Sequence, residues 1–253
     1  GVLCLVAGID TQDQWLDVNV WGYGRGEEAW LIWSQELRGD PALPEVWEQL
    51  DHVLATEWSC ANGKTLKISQ MAVDSGGHYS HQTYLYARER KAQGVIAVKG
   101  SSRRDQPIIN RGAKVDINFR GKIMKNSGMV YQVGTDTAKT TIHGRLRHNQ
   151  PGPGYFHFGL AADEEFFNQL TAEKQQVKTV RGFQVKEWVK KSSDRSEKLD
   201  GCVYAYAALQ LMLRRYDRKT VWDQLEARLL GTKPELKSRK VASHQASSFI
   251  SNW

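Results

Sequence analysis

The sequence predicts an α/β domain: a mixed sheet whose first three strands are antiparallel, flanked by helices. Three observations carry that expectation. Residues 2–9 form one continuous apolar run, as in a strand buried on both faces. Two further apolar segments, 15–21 and 29–37, follow at short polar or glycine-rich turns, the pattern of an antiparallel meander. Downstream, helical and strand-like spacings alternate to give β-β-β-α-β-α-β by about residue 98.

The first strand stops at Asp10, and Thr11-Gln12-Asp13-Gln14 makes the turn. In 15–21, Leu16, Val18 and Val20 share one face while Asp17 and Asn19 share the other. From Pro44, a residue suited to a first helical turn, Val46, Trp47, Leu50, Val53 and Leu54 recur at helical spacing. An apolar strand over 66–73 ends at Asp74, before Ser75-Gly76-Gly77. A helix over 79–92 and a short buried strand over 95–98 follow, closing on Lys99-Gly100. Residues 101–125 read as an extended basic segment with weak strands. A strand at 129–133, a helix opened by Thr135-Asp136-Thr137, a short strand at 155–158 and a short helix at 164–170 come next. Alternation around Arg181-Gly182 predicts a basic hairpin over 173–189. Helices over 196–214 and 221–230 complete a domain of residues 1–230, leaving a polar tail, 231–253.

With 40% hydrophobic and 25% charged residues in 253, a largely disordered chain is excluded. No apolar run reaches the roughly 20 residues of a membrane-spanning helix. The apolar start lacks a basic leader segment and is expected to continue from an upstream domain rather than serve as a signal peptide. Cys4, Cys60 and Cys202 lie far apart with no CxxC pair, which argues against a disulfide framework and a cysteine zinc site. His78 and His81 have no partner pair for zinc and are expected on a helix surface. Trp15, Trp21, Trp30, Trp33, Trp47 and Trp58 are expected in the core. The net charge of +7 favours a polyanionic partner.

The chemistry points to acids. Asp10 and Asp74 each end a buried strand, where a carboxylate is held rigidly at a sheet edge. Asp200 lies near the apolar stripe of the long late helix, with Glu197 one turn earlier on the same face. An acid turned inward needs a base, a donor or a metal. For each acid alone a turn, a helix cap or a salt bridge is an adequate explanation. Together, two strand ends and a late helix make the acid arrangement of RNase H-like nucleases.

The sequence resembles the C-terminal nuclease domain of tailed-phage terminase large subunits, of the lambda-type GpA branch. The matching stretches include Ala7-Gly8-Ile9-Asp10, Asp74-Ser75-Gly76-Gly77, Val98-Lys99-Gly100, Gly134-Thr135-Asp136-Thr137-Ala138-Lys139, Gln169-Leu170-Thr171-Ala172-Glu173 and Leu199-Asp200, in family order over roughly 1–215. The resemblance implies an RNase H/RuvC-like, metal-dependent endonuclease that cuts concatemeric double-stranded phage DNA during packaging, by two-metal activation of water. Asp10, Asp74 and Asp200 carry over as catalytic acids and ligands of Mg²⁺ or Mn²⁺, with two ions expected. Glu197 is a fourth ligand or a supporting group. Lys99 orients a phosphate or water, or pairs with one acid. The N-terminal packaging ATPase of the family is expected to be absent, since Asn62-Gly63-Lys64-Thr65 lacks the rest of a P-loop. Double-stranded DNA, a small terminase subunit and the portal are the implied partners, in the host cytoplasm and away from membrane, with the isolated domain monomeric. DNA is expected along Arg103, Arg104, Arg111 and Lys114, with Arg120, Lys122 and Lys125 in the same segment, and along Lys178, Arg181 and Lys186 with other hairpin lysines. The competing reading is a non-catalytic DNA-binding or portal-docking module.

Overall fold

The computed structural model describes residues 1–232 apart from Ser102, Arg120, Ala161 and Arg181. Strands β1 (Cys4–Thr11), β2 (Trp15–Tyr23) and β3 (Ala29–Arg38) form the antiparallel meander. Helix α1 (Glu45–Ala55) and a small ribbon of β4 (Trp58–Ser59) and β5 (Thr65–Leu66) lead into β6 (Ile68–Asp74). Then come α2 (Ser80–Glu89), β7 (Val95–Gly100), β8 (Ile109–Phe119), β9 (Lys122–Val133) and α3 (Thr135–Arg145). The chain continues through β10 (Phe156–His157), α4 (Glu164–Leu170), the hairpin β11 (Lys174–Val180) and β12 (Phe183–Val189), α5 (Glu197–Leu213) and α6 (Val221–Leu230). Eight strands make one mixed sheet in the order β10-β3-β2-β1-β6-β7-β9-β8, in which β1, β6, β7 and β9 run parallel.

The period of two in β1 sends successive side chains to opposite faces. Cys4 and Val6 join a core covered by α3, α4, α5 and α6; Leu5, Ala7 and Ile9 join a core under α1 and α2. Helix α5 is apolar on most of its surface because it is buried almost throughout.

Two expectations are corrected. The basic segment after residue 100 is not a run of weak strands but most of a long antiparallel ribbon at the sheet edge, with β8 and β9 spanning 11 and 12 residues. Much of that ribbon is open to solvent, so charged residues occupy positions that a core strand fills with apolar ones. Only Trp21 and Trp47 of the six tryptophans are fully in the core. Trp30 instead stacks on His157, Trp33 meets Trp58, and Trp15 lies under the Arg38 and Arg195 guanidinium groups. His78 lies in the turn before α2, exposed, and His81 within α2. The tail residues 233–253, Arg120 and Arg181 lie outside the described residues.

Helix α5 approaches β1 more closely than side chains permit. A methyl group on Gly8 would sit 1.9 Å from the Gly201 carbonyl oxygen and 2.3 Å from the Ala205 nitrogen. Gly201 in turn faces the Asn19 amide, 2.1 Å from the place a methyl would occupy. Gly8→Ala should therefore cost about 1–3 kcal/mol or more in urea unfolding, the range for overpacked cores. Gly144→Ala, exposed in α3 with nothing within 4 Å, should stabilise by roughly 0.5–1 kcal/mol. An unaltered midpoint for Gly8→Ala would contradict the close packing.

Candidate active site

Asp10 and Asp74 stand at the carboxyl ends of parallel strands β1 and β6. Ligand sites in sheets of this kind gather at that edge. Alternation places both on the α5 side: Val6 and Ala72, which share their faces, belong to the core under that helix. Both are buried, at 6% and 8% exposure. The first turn of α5 brings Asp200 to the same edge. Its carboxylate raises the pKa of both strand acids.

Each acid has different partners. Asp10 Oδ2 accepts from the Gln12 side-chain amide at 2.6 Å. Burial, then Asp200 and Asp74, hold its pKa well above the ordinary carboxylate value. Asp74 Oδ2 accepts from the Gly76 amide at 3.1 Å, whereas its buried Oδ1 has no partner. Burial lifts Asp74 to about 6, against the lowering effects of the Gly76 amide and the Tyr204 phenol. Asp200 Oδ1 lies 3.0 Å from Lys139 Nζ, and its Oδ2 accepts from the Ser196 hydroxyl at 3.3 Å. Burial raises Asp200 while Lys139 lowers it, and the balance is upward. The Tyr204 phenol lies among all three acids, its ionisation pushed far up by burial and then by Asp74, Asp10 and Asp200.

Lys139, Glu173, Tyr204, Asp17 and Lys198 complete the surroundings, and sequence reasoning assigned none of them a part. Lys139 also donates to Glu173 Oε1 at 2.7 Å. Asp17 faces the same side from β2, paired in register with Asp10, and is closed off by Lys198 at 2.8 Å and Asn19 at 2.7 Å. A signal for Lys139 existed: it lies three residues before Ile142 and next to Ala138, on the buried side of α3.

Two expected members lie elsewhere. Glu197 pairs with Arg195 at 3.2 Å, and Arg195 reaches Glu36 at 2.6 Å, so helical spacing from Asp200 does not bring Glu197 to the acids. Lys99 is exposed and follows Val98. Val98 points toward α5, so the backbone alternation starts Lys99 on the α1/α2 face, opposite Asp74. Arg103 and Arg104 follow β7 at the acid edge and are exposed. Arg111 lies near the start of β8, which pairs with the end of β9. Lys114 lies five residues along β8 from Ile109, roughly 16 Å from that edge at the usual strand rise. Lys178 and Lys186 are exposed on the hairpin, whose Trp188 packs at a tilt against His143 of α3.

The oxygen donors available to a cation are Asp10, Asp74 and Asp200. As placed, no three Asp, Glu, His or Cys side chains among the described residues stand close enough to hold an ion. Among the described residues, five carboxylates, Asp10, Asp17, Asp74, Glu173 and Asp200, meet two ammonium groups here, Lys139 and Lys198.

Residues 1–231 match the family described as terminase large subunit gpA, endonuclease domain. The chain is 34% identical over 226 residues to the terminase large subunit of Escherichia phage lambda, covering 85% of this chain and 33% of that protein. It is 31% identical, with the same coverage, to the terminase large subunit of Enterobacteria phage P21. The chain thus spans about a third of the length of these relatives. No solved structure matches it significantly.

The raised acids make a stability prediction for protein kept in EDTA. A carboxyl whose folded pKa exceeds its unfolded value destabilises the fold above the folded pKa, and this cost disappears as pH falls toward the unfolded value. Asp74, at about 6 against 3.8, costs the fold about 1–3 kcal/mol at neutral pH. Asp74→Asn should therefore raise the melting temperature at pH 7.5, by an amount that shrinks toward pH 4.5. A lower melting temperature at pH 7.5 would contradict this account.

Proposed function

The chain belongs to the family of terminase large subunit gpA endonuclease domains, and from that premise we propose that it is a metal-dependent endonuclease cutting concatemeric double-stranded phage DNA during packaging. The observation that carries the reading is the convergence of Asp10, Asp74 and Asp200 from β1, β6 and α5 at one sheet edge, with too few cationic partners. The reading takes the fold as RNase H/RuvC-like, in keeping with the antiparallel meander followed by parallel strands.

The donor chemistry fits a hard divalent cation. All three groups offer carboxylate oxygen, and Asp74 Oδ1 is buried without a partner. Asp10, Asp74 and Asp200 would hold Mg²⁺ or Mn²⁺, two ions in this reading. When bound, such ions polarise the phosphodiester and ease deprotonation of water. Asp10, which feels the charge of both other acids and is braced by Gln12, orients the centre. Tyr204 and the wall of α5 keep bulk water from its inner side. This reading assigns no step to Lys99 or Glu197.

Exposed Arg103 and Arg104 follow β7 at the acid edge. Lys174, Lys178, Lys186 and Lys190 lie on or beside the β11–β12 hairpin, which starts directly after Glu173. These groups would meet phosphates without reading base sequence. In a longer protein, a small terminase subunit and the portal would supply site choice and docking, in the host cytoplasm.

A plasmid nicking and linearisation assay tests this. Cutting should need Mg²⁺ or Mn²⁺, stop with EDTA and fall at least about 100-fold in Asp10→Asn, as expected on losing a central charged group. Equal cutting by the variant would reject the site; neither cutting nor metal uptake by the wild type would favour the docking-module reading. Shortening the hairpin between residues 176 and 187 should weaken DNA binding and cleavage while leaving the far-UV spectrum intact. Unchanged DNA affinity would remove the hairpin from the DNA path.

A further inference from the structure

Resting on the metal-site reading, we propose that Lys139 is the resident counter-cation of Asp200, a positioning residue that holds this acid away from the metal position and yields it while staying anchored to Glu173.

The ammonium of Lys139 is shared unequally, 2.7 Å from Glu173 and 3.0 Å from Asp200. The Lys139 and Glu173 side chains are both only 10% exposed, so the pair is sealed in, whereas the Asp200 side chain is 25% exposed. With Ser196 on its other oxygen at 3.3 Å, Asp200 has both oxygens engaged. Asp17 shows what a permanently committed acid looks like in the same layer. It is wholly buried and its two contacts are 2.7 and 2.8 Å. The contacts of Asp200 are longer and its surroundings more open, so it is the acid able to change partners.

The placement of the other groups supports the exchange. Asp10 and Asp74 already face the centre, yet no three acids among the described residues are placed to hold an ion together. Asp200 is the candidate third donor, and Lys139 lies against it. When Asp200 swings from Lys139 toward Asp10 and Asp74, the lysine is not left as an uncompensated buried charge, because Glu173 retains it. Glu173 directly precedes the hairpin that begins at Lys174. Lys139 lies in α3, whose His143 packs at a tilt against Trp188 of that hairpin. The exchange is therefore sited where the hairpin joins the domain.

Calorimetric titration of Mn²⁺ into the EDTA-stripped 253-residue protein tests the proposal without measuring cleavage. Lys139→Met should tighten Mn²⁺ binding about tenfold by removing the competing cation. Glu173→Gln should weaken it, because Lys139 then belongs to Asp200 alone. The double variant Lys139→Met/Glu173→Gln removes one charge of each sign. It should bind more tightly than wild type, whereas a simple through-space charge effect predicts wild-type affinity. The double variant also leaves no unpaired carboxylate at position 173, so it carries the test if Lys139→Met fails to fold by circular dichroism. Unchanged or weaker binding by Lys139→Met, or wild-type affinity in the double variant, overturns the exchange and leaves the nuclease reading standing. No Mn²⁺ uptake by the wild type overturns both.

Discussion

The contact of α5 with β1 governs the rest of the molecule. Gly8 and Gly201 let the helix backbone rest almost directly on the strand. That approach brings the first turn of α5 to the carboxyl ends of β1 and β6. Asp200 and Tyr204 thereby meet Asp10 and Asp74, and Lys198 meets Asp17. A helix held off by one methyl layer would weaken these contacts and admit water between them.

Such closeness carries a cost. Burial and repulsion between carboxylates hold Asp10, Asp74 and Asp200 above their ordinary ionisation range, against the lowering effects of Gln12 on Asp10, the Gly76 amide on Asp74 and Lys139 on Asp200. A site that concentrates like charge is less stable for it, and the two apolar cores on either face of the sheet supply the compensating burial. The chain nevertheless carries an overall charge of +7. Five carboxylates share one recess, while exposed lysines line the hairpin that starts directly after Glu173, a placement suited to holding a polyanion near an acidic centre.

Much of the fold was legible because local periodicity is set by backbone geometry. The meander, α1, α3, α5 and the hairpin follow from alternation or helical spacing, and Asp10 and Asp74 stood out where apolar runs stop. The β8–β9 ribbon was obscured because solvent, not a core, meets most of its side chains. Lys99 was expected near the acids because it ends the strand beside Asp74, but neighbouring strand residues face opposite ways, and it is Val98 that points to α5. Glu197 has the right helical offset from Asp200, yet Arg195, just outside the helix, pairs with it.

The sequence by itself determined the elements and the strand-end acids, because periods of two and 3.6 and the stop of an apolar run are properties of neighbouring residues. Only the tertiary structure decided which charges meet. Lys139 and Glu173 are 34 residues apart, and Lys198 and Asp17 are 181 apart. No local pattern specifies such pairs, since an ammonium settles beside whichever carboxylate the packed sheet and helices leave within reach and shield from water.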